Sequence, residues 1–172
     1  MKALNKIAVV GKYPSIEESK NIHNQLIQLV DYLHQKPIEL FIEEKTQQQI
    51  NLKGIQSIAL RDIGGKADLA IIVGGDGTLI GVGRNMVHSD TPLIGINQGR
   101  FGFLADLNPE SMFSNIDTIL AGEYIEDKRM LINTKILRDK KIVYESFSLN
   151  DIVIKSGVRL VELDVIIDGA FV

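Results

Sequence analysis

The amino-acid sequence predicts an α/β fold with an open, mostly parallel sheet, followed by the start of an antiparallel β-rich second domain. Two observations indicate this fold. Short apolar runs alternate with amphipathic segments over the first two-thirds of the chain, as expected for strands that helices cover on both faces. After about residue 124, β-branched segments follow one another with no helical pattern between them, which is typical of antiparallel strands.

The first predicted β-α unit begins with a strand over residues 7–10, which ends at Gly11. Ser15 and Glu18 then have the spacing of a capping box. A helix should follow and end near His34, because the apolar residues after the capping box lie on one helical face. These residues are Ile22, Leu26, Leu29, Val30 and Leu33.

Three more strands are predicted before the change in pattern. They cover residues 38–42, 69–73 and 92–97, and the run over 69–73 is the most apolar. A short helix is expected over 46–50. The remainder of residues 44–62 has no clear periodicity and is left unassigned.

The last helix before the change in pattern has signals at both ends. Asn108 and Pro109 are favoured at the N-cap and the first helical position, and Gly122 is a stop signal. Its buried face comprises Met112, Phe113, Ile116, Ile119 and Leu120. Repeated β-α units predict a Rossmann-like domain over residues 1–124, with ligands at the carboxyl ends of its strands.

Residues 125–172 should form the first strands of a β-rich domain. The strand-like segments are residues 130–137, 142–149, 152–154 and 160–167. Asp168 and Gly169 then give a strong hairpin signal, and the sequence ends three residues later. We therefore expect this chain to be a fragment of a longer protein, with an incomplete β-rich domain.

The composition argues against several classes of function. A formal net charge of −3, without a cluster of basic residues, gives no electrostatic case for nucleic-acid binding. No apolar run approaches the roughly 20 residues that cross a bilayer, and the N-terminus lacks a signal-peptide pattern, so we expect no membrane partner and a cytoplasmic location. The sequence contains no cysteine, which excludes disulfides and thiolate metal sites.

The strongest functional signal is the segment VGGDGT over residues 73–78, which follows the most apolar strand. Gly74, Gly75 and Gly77 would let backbone amides approach a phosphate closely, and the Thr78 hydroxyl could join them. A carboxylate adds nothing to phosphate binding, so Asp76 predicts an acceptor for an attacking hydroxyl. The alternative is a tight turn in which Asp76 only caps a helix. The motif alone leaves both interpretations open.

Four stretches together resemble the NAD kinases. Residues 74–78 (GGDGT) match a motif shared with diacylglycerol and sphingoid-base lipid kinases and, more distantly, phosphofructokinases. Residues 95–104 (GINQGRFGFL) resemble an element of NAD kinases, and 149–154 (LNDIVI) resemble their Asn-[Glu/Asp] motif. Residues 124–131 (YIEDKRML) resemble the crossing into their β-rich domain. The match is collinear over nearly the whole chain, so the sequence most closely resembles a bacterial NAD kinase.

The resemblance implies transfer of the γ-phosphoryl group of ATP to the 2′-hydroxyl of the adenosine ribose of NAD, which gives NADP. It also implies a divalent metal ion, expected to be Mg²⁺, and a homo-oligomer (dimer or tetramer) for the full-length protein. A downstream block rich in Thr, Pro and Gly completes the dinucleotide site of the family. That block is absent from these 172 residues, so we expect the fragment to bind dinucleotide weakly or not at all.

The resemblance also implies roles for individual residues. Asp76 would accept the proton of the ribose hydroxyl, and the cofactor-binding residues would be Gly74, Gly75, Gly77 and Thr78. Phe103 would line the adenine pocket, and Arg159 would reach the phosphates or the nicotinamide side. The full substrate-binding set is Asp76, Gly77, Phe103, Asn150, Asp151 and Arg159. No residue is assigned as a metal ligand.

Two alternatives remain at this point. A lipid kinase of the diacylglycerol type would use the same GGDGT chemistry. Against it, the first strand continues into residues 11–14 (GKYP), where an Asn-Pro and glycine-rich sequence would be expected. The chain could also be a non-catalytic nucleotide-binding fragment.

Overall fold

The computed structural model describes residues 3–11, 19–97, 104, 107–157 and 160–171. In chain order its elements are β1 (Lys6–Gly11), α1 (Ser19–His34), β2 (Glu39–Glu43), α2 (Glu44–Ile50), β3 (Gln56–Ile58), a 3₁₀ turn (Leu60–Asp62), α3 (Ile63–Lys66), β4 (Leu69–Val73), α4 (Asp76–Asn85), β5 (Leu93–Ile96), a second 3₁₀ turn (Pro109–Ser111), α5 (Met112–Leu120), β6 (Ile132–Arg138), β7 (Lys141–Ser148), β8 (Ile166–Ile167) and β9 (Ala170–Phe171).

The first five strands form one parallel sheet in the order β3-β2-β1-β4-β5. The chain moves outward from β1 through β2 to β3, and then crosses to the other side of β1 to add β4 and β5. The strand order therefore reverses between β1 and β4. In sheets of this kind, ligands bind outside the carboxyl ends of the strands at such a reversal. The predicted α/β class and parallel sheet are confirmed.

Alternate residues of the central strands face two separate apolar cores. Ile7 and Val9 of β1 pack in one core with the buried residues of α1 and α5. Ala8 and Val10 pack in the other with Val82 of α4 and with residues around α3. All five residues of β4 are buried. This double coverage explains why the central strands read as continuous apolar runs rather than as alternating patterns.

The least periodic part of the sequence contains three elements that were not predicted. The short helix expected over 46–50 is present as α2, which begins two residues earlier. β3, the first 3₁₀ turn and α3 follow it, and each has only three or four residues. Segments this short contain too few residues to show a helical or strand period.

The end of α5 follows the prediction more closely than its beginning. Gly122 has a φ of 88°, and the N–H groups of Gly122 and Glu123 donate to the carbonyls of Ile119 and Thr118. This is the Schellman arrangement that a glycine after the helix favours. Asn108 precedes the second 3₁₀ turn, whereas the N-cap of α5 itself is Ser111.

The antiparallel prediction for the C-terminal region is confirmed for β6 and β7, which form a hairpin. Asp139 and Lys140 at its turn both have positive φ, as a two-residue hairpin loop requires. The Asp168–Gly169 turn also forms, between β8 and β9. The strand predicted over 152–154 is wrong, and only Ile166–Ile167 of the segment 160–167 is a strand. Within the described chain, residues 152–154 and 160–165 are paired with no strand.

No helix in the described part of the chain has the length and apolarity needed to cross a membrane.

Candidate functional site

The glycine turn after β4 leads directly into α4. Gly75 is the N-cap of this helix, with extended backbone, and Asp76 is its first residue. The Gly74 N–H donates to the carbonyl of Ile96 at 3.0 Å, and the Thr78 N–H donates to the carbonyl of Gly75 at 2.9 Å. The first bond fixes the turn against β5. The second closes the first helical turn.

The helix start supplies the electrostatics that phosphate binding needs. The first N–H groups of an α-helix have no carbonyl partner within the helix, and the helix dipole places partial positive charge there. Gly75 and Gly77 have open space where a Cβ would lie, so an anion could approach their backbone without meeting a side chain. An anion at this end of α4 would therefore be stabilised.

A cavity of about 600 Å³ lies next to this turn. Its lining comes from Val10 and Gly11 at the end of β1, from Leu60 after β3, and from α4 with the turn before it. The complete lining is Val10, Gly11, Leu60, Gly75, Gly77, Thr78, Gly81, Val82 and Asn85. The cavity thus sits where the strand order reverses between β1 and β4, which is the position that the fold favours for a ligand.

One face of α4 forms a wall of the cavity. Gly77, Gly81 and Asn85 follow one another at intervals of four residues, which places them on the same side of a helix. The sequence favours helix–sheet packing as the role of Gly81 and Gly83. Close packing requires neither glycine, since an added Cβ at Gly83 would make an ordinary contact at 3.5 Å with Leu93 Cδ1 and nothing lies within 4 Å at Gly81. Gly81 therefore keeps the cavity open.

Asp76 links two of the sequence motifs. Its Oδ1 accepts a hydrogen bond from the backbone N–H of Leu104 at 3.2 Å, so GGDGT and the end of the 95–104 element meet at this carboxylate. The N-cap position belongs to Gly75. The interpretation of Asp76 as the capping residue of α4 is therefore wrong. Its carboxylate is partly exposed beside the cavity, where it could accept a hydrogen bond from a hydroxyl group.

The remaining predicted substrate-binding residues lie elsewhere. Asn150 and Asp151 follow β7 and are exposed, and the Asn150 side chain donates to Asp151 Oδ1 at 2.9 Å. Neither of them lines the cavity. Leu149 approaches α4, because a Cβ added at Gly83 would lie 3.5 Å from its Cδ2. Phe103 and Arg159 lie outside the described residues.

A divalent metal ion would find few protein ligands here. The residues that the structure describes include no group of three or more His, Cys, Asp or Glu side chains that could hold a metal. Mg²⁺ commonly binds through one or two carboxylates, with water and substrate phosphates as its other ligands. Asp76 is the carboxylate of the site and could supply one ligand of that kind.

Sequence reasoning missed part of the cavity lining. Val10 and Gly11 read only as a strand and its end, and Leu60 fell in the unassigned segment. Val82 read as an apolar position of an amphipathic segment. The four-residue spacing of Gly77, Gly81 and Asn85 was the available signal, although it indicates a shared face without saying what that face meets.

Comparison with known proteins identifies the family. The model of the ATP-NAD kinase N-terminal domain matches residues 16–124. A protein of Nitrosomonas eutropha named NAD kinase is 37% identical over 168 residues, which cover 96% of this chain and 55% of that protein. A protein of the same name from an Acidovorax species is 37% identical over 97% of this chain and 58% of its own length. The chain thus spans about half the length of these relatives.

Among solved structures, the chain is similar to yeast NADH kinase in a crystal structure complexed with NADH. The TM-score is 0.79 with 15% sequence identity, and the similarity covers 99% of this chain and 55% of that one. At this level of identity the structural likeness supports the fold. With the family match over residues 16–124, we conclude that this chain belongs to the NAD kinase family.

Proposed function

We propose that this chain forms the phosphate-binding half of an NAD kinase, which transfers the γ-phosphoryl group of ATP to the 2′-hydroxyl of the adenosine ribose of NAD. The observation that carries the proposal is the position of GGDGT. The motif follows β4 and lines a cavity at the reversal of strand order, and the chain belongs to a family named for this reaction.

In this proposal the residues of the turn have two roles, phosphate binding and proton acceptance. The backbone around Gly74, Gly75 and Gly77, with the Thr78 hydroxyl, binds phosphate. Asp76 accepts the proton of the ribose 2′-hydroxyl while the oxygen of that hydroxyl attacks the γ-phosphorus and ADP leaves. The products are NADP, ADP and one proton. Phosphoryl transfer relies mainly on positioning and charge stabilisation, which a turn with a rigid strand before it and a helix after it is suited to provide.

The proposal includes features that extend beyond the cavity. Phe103, Asn150, Asp151 and Arg159 contact NAD. Mg²⁺ accompanies ATP and neutralises charge on its phosphates. Residues 1–124 form the α/β domain and residues 125–172 begin the β-rich domain. The full-length protein is a cytoplasmic homo-oligomer.

A chimera provides the most direct test of the reaction. This chain would replace the corresponding part of the Nitrosomonas eutropha relative, 55% of which it matches, so that the relative supplies the remainder. Incubation with γ-labelled ATP and NAD should transfer the label to NAD. Asp76→Asn in the chimera should lower the rate by about 10²–10⁴-fold, the usual contribution of a general base. An unchanged rate would remove Asp76 from the role of proton acceptor.

The acceptor is tested in the same assay. NAD and diacylglycerol would be offered together, with the chain alone run beside the chimera. We expect label on NAD and none on the lipid. Label on diacylglycerol alone would support the lipid kinase alternative, and ATP binding by a chimera that labels neither acceptor would support a non-catalytic nucleotide-binding protein.

A further inference from the structure

A buried polar cluster lies directly behind the β1 wall of the cavity. Glu43, the last residue of β2, is 3% exposed, and Thr46 in the first turn of α2 is fully buried. With Asn97, they are the buried polar or charged side chains of the described residues. Burial of a carboxylate is costly unless hydrogen bonds compensate, and Glu43 accepts such bonds from Thr46.

One hydrogen bond connects this cluster to β1, and two more join its members to each other. The Gly11 N–H donates to Thr46 Oγ1 at 2.9 Å. The Thr46 hydroxyl in turn donates to Glu43 Oε2 at 2.8 Å. The Thr46 N–H donates to the same carboxylate oxygen at 2.8 Å. The hydroxyl thus has a donor and an acceptor partner at once, and Glu43 accepts two hydrogen bonds from Thr46, one from its hydroxyl and one from its N–H.

The cluster supplies a hydrogen-bond acceptor to β1 beyond the point where its pairing with β2 ends. Backbone pairing of β1 with β2 ends at Val9 and Ile42, because the chain enters α2 immediately after Glu43. On the side of β1 that faces β2, the first amide beyond this pairing is the N–H of Gly11. It donates to the Thr46 hydroxyl instead of to a backbone carbonyl of β2. A buried amide without any partner would carry a full desolvation cost.

The space around Gly11 is also filled. A Cβ at this position would lie 2.6 Å from Leu26 Cδ1 and 3.2 Å from Thr46 Cγ2. Gly11 lines the cavity together with Gly75 and Gly77, whereas Glu43 and Thr46 do not line it. Since the register partner of Gly11 in β4 is Val73, the position of Gly11 in the cavity wall depends on that pairing and on its bond to Thr46.

We propose that Glu43 and Thr46 are positioning residues for the nucleotide site, which hold the β1 wall at Gly11 through the Thr46 hydroxyl. The inference rests on the proposed function, because it assigns the held wall to the binding of nucleotide phosphate. It adds a pair of residues on β2 and α2 to a site otherwise built from β1, the turn after β3, and α4.

The test compares Thr46→Val with a matched variant, Thr91→Val. Both changes replace a threonine hydroxyl by a methyl group of similar shape. The Thr91 hydroxyl contacts the carbonyls of Gly64 and Ala67, which precede β4 and so lie toward the amino ends of the strands, away from the cavity. NMR would measure exchange of the Gly11 amide in the ligand-free chain, and calorimetry would measure the affinity for Mg-ATP.

Thr46→Val should speed exchange of the Gly11 amide and weaken Mg-ATP binding, each by about tenfold, as expected when a buried donor loses its partner. Thr91→Val should leave both unchanged, and Thr46→Ser should restore both because it keeps the hydroxyl. Glu43→Gln, which keeps an acceptor oxygen for Thr46, should give a smaller change and serves as the second variant if Thr46→Val does not fold.

The outcomes separate this inference from the proposed function. If the wild-type chain does not bind Mg-ATP, the proposed function fails for this chain, and exchange of the Gly11 amide alone decides whether the cluster holds β1. Unchanged Gly11 exchange in Thr46→Val and Glu43→Gln would overturn the inference. Faster exchange with unchanged Mg-ATP affinity would also overturn it, because the cluster would then be structural only.

Discussion

The strands of the parallel sheet and of the β6–β7 hairpin both carry large apolar side chains but bury them very differently. Every residue of β4 is buried, and Ile71 at its centre has no exposed surface. In the hairpin, Ile136 of β6 is 41% exposed and its cross-strand partner Tyr144 is 51% exposed. The comparison teaches that an apolar strand pattern sets what a strand can bury, whereas the elements packed on it decide what it does bury.

The hairpin nevertheless has a defined polar face. Lys135 and Glu145 pair across the strands at 3.2 Å, and the Asn133 side chain donates to the same carboxylate. Ile132, Ile136 and Tyr144 lie on the other face. Among the described residues, no helix covers that face as α1 and α5 cover one side of the parallel sheet.

The largest effect is expected when isoleucine is replaced by alanine, once in the parallel sheet and once in the hairpin. Ile71→Ala removes fully buried side-chain atoms from the centre of β4 and should lower the free energy of unfolding by about 2–5 kcal/mol. Ile136→Ala in β6 should change it by no more than about 0.5 kcal/mol, since its side chain is partly solvated. Urea unfolding followed by circular dichroism would compare them. Similar losses at the two positions would mean that the hairpin face is covered in solution.

A smaller effect is expected at two glycines that line the cavity, Gly11 and Gly75. Gly11→Ala places a Cβ 2.6 Å from Leu26 Cδ1, and the resulting shift should lower the free energy of unfolding by about 1–3 kcal/mol. Gly75→Ala should leave stability within about 0.5 kcal/mol, because its Cβ meets nothing within 4 Å and its φ of −95° suits alanine.

In a binding measurement, Gly75→Ala should show a loss that its stability does not show. The new methyl group of Gly75→Ala points into space beside the turn and should weaken Mg-ATP binding without loss of stability. Calorimetry and thermal unfolding of both variants would show the contrast. If Gly75→Ala lost stability but kept its affinity, the cavity would not be the nucleotide site.

The smallest expected effect concerns the pH dependence of stability. On the parallel-sheet side, Asp117 of α5 is bound to Lys36 at 2.7 Å and to the Tyr32 hydroxyl at the end of α1. The hydrogen bond from Lys36, followed by that from Tyr32, lowers the pKa of Asp117. A carboxylate with a lowered folded-state pKa stabilises the fold above its unfolded-state pKa, and this contribution is lost as the pH falls through the folded-state pKa.

Asp117→Asn should therefore flatten the acid side of a plot of urea midpoint against pH. Glu145→Gln is the matched change in the hairpin, where hydrogen bonds from Asn133 and then Lys135 lower the pKa of Glu145. It should leave the midpoint of the parallel-sheet region unchanged at every pH, since the hairpin contributes little to that core. Equal flattening by both variants would show that the two regions unfold as one unit.

Much of the fold could be predicted because its strongest signals are local. β4 was predicted with its observed bounds, Leu69–Val73, since five apolar residues between polar segments leave few alternatives. Gly122 marked the end of α5 because few residues other than glycine adopt its positive φ readily. The strand over 152–154 was predicted on the same apolar evidence and is absent, because a strand also needs a partner to bond with, and composition does not supply one.

The residues of the candidate site also fall into those that the sequence reveals and those that it does not. Gly75, Gly77 and Thr78 could be found from the sequence, since they lie together in one motif next to a strand. Gly11 and Leu60 could not, because they reach the cavity only when β1, β3 and β4 align their carboxyl ends in one sheet. Thr46 is hidden for a further reason, since it acts on Gly11 across 35 residues of sequence.

The sequence by itself determined the longer helices and strands of the parallel-sheet region, the glycine turn after the strand Leu69–Val73 and the carboxylate within it. These depend on neighbouring residues, whose backbone preferences and apolar spacing act over a few positions. Only the tertiary structure decided that the end of the first strand lines the cavity. Only it showed that the Leu104 amide bonds to Asp76 and that Glu43 and Thr46 stand behind Gly11. Such contacts join distant positions, and they exist only after the sheet has brought its strand ends to one edge.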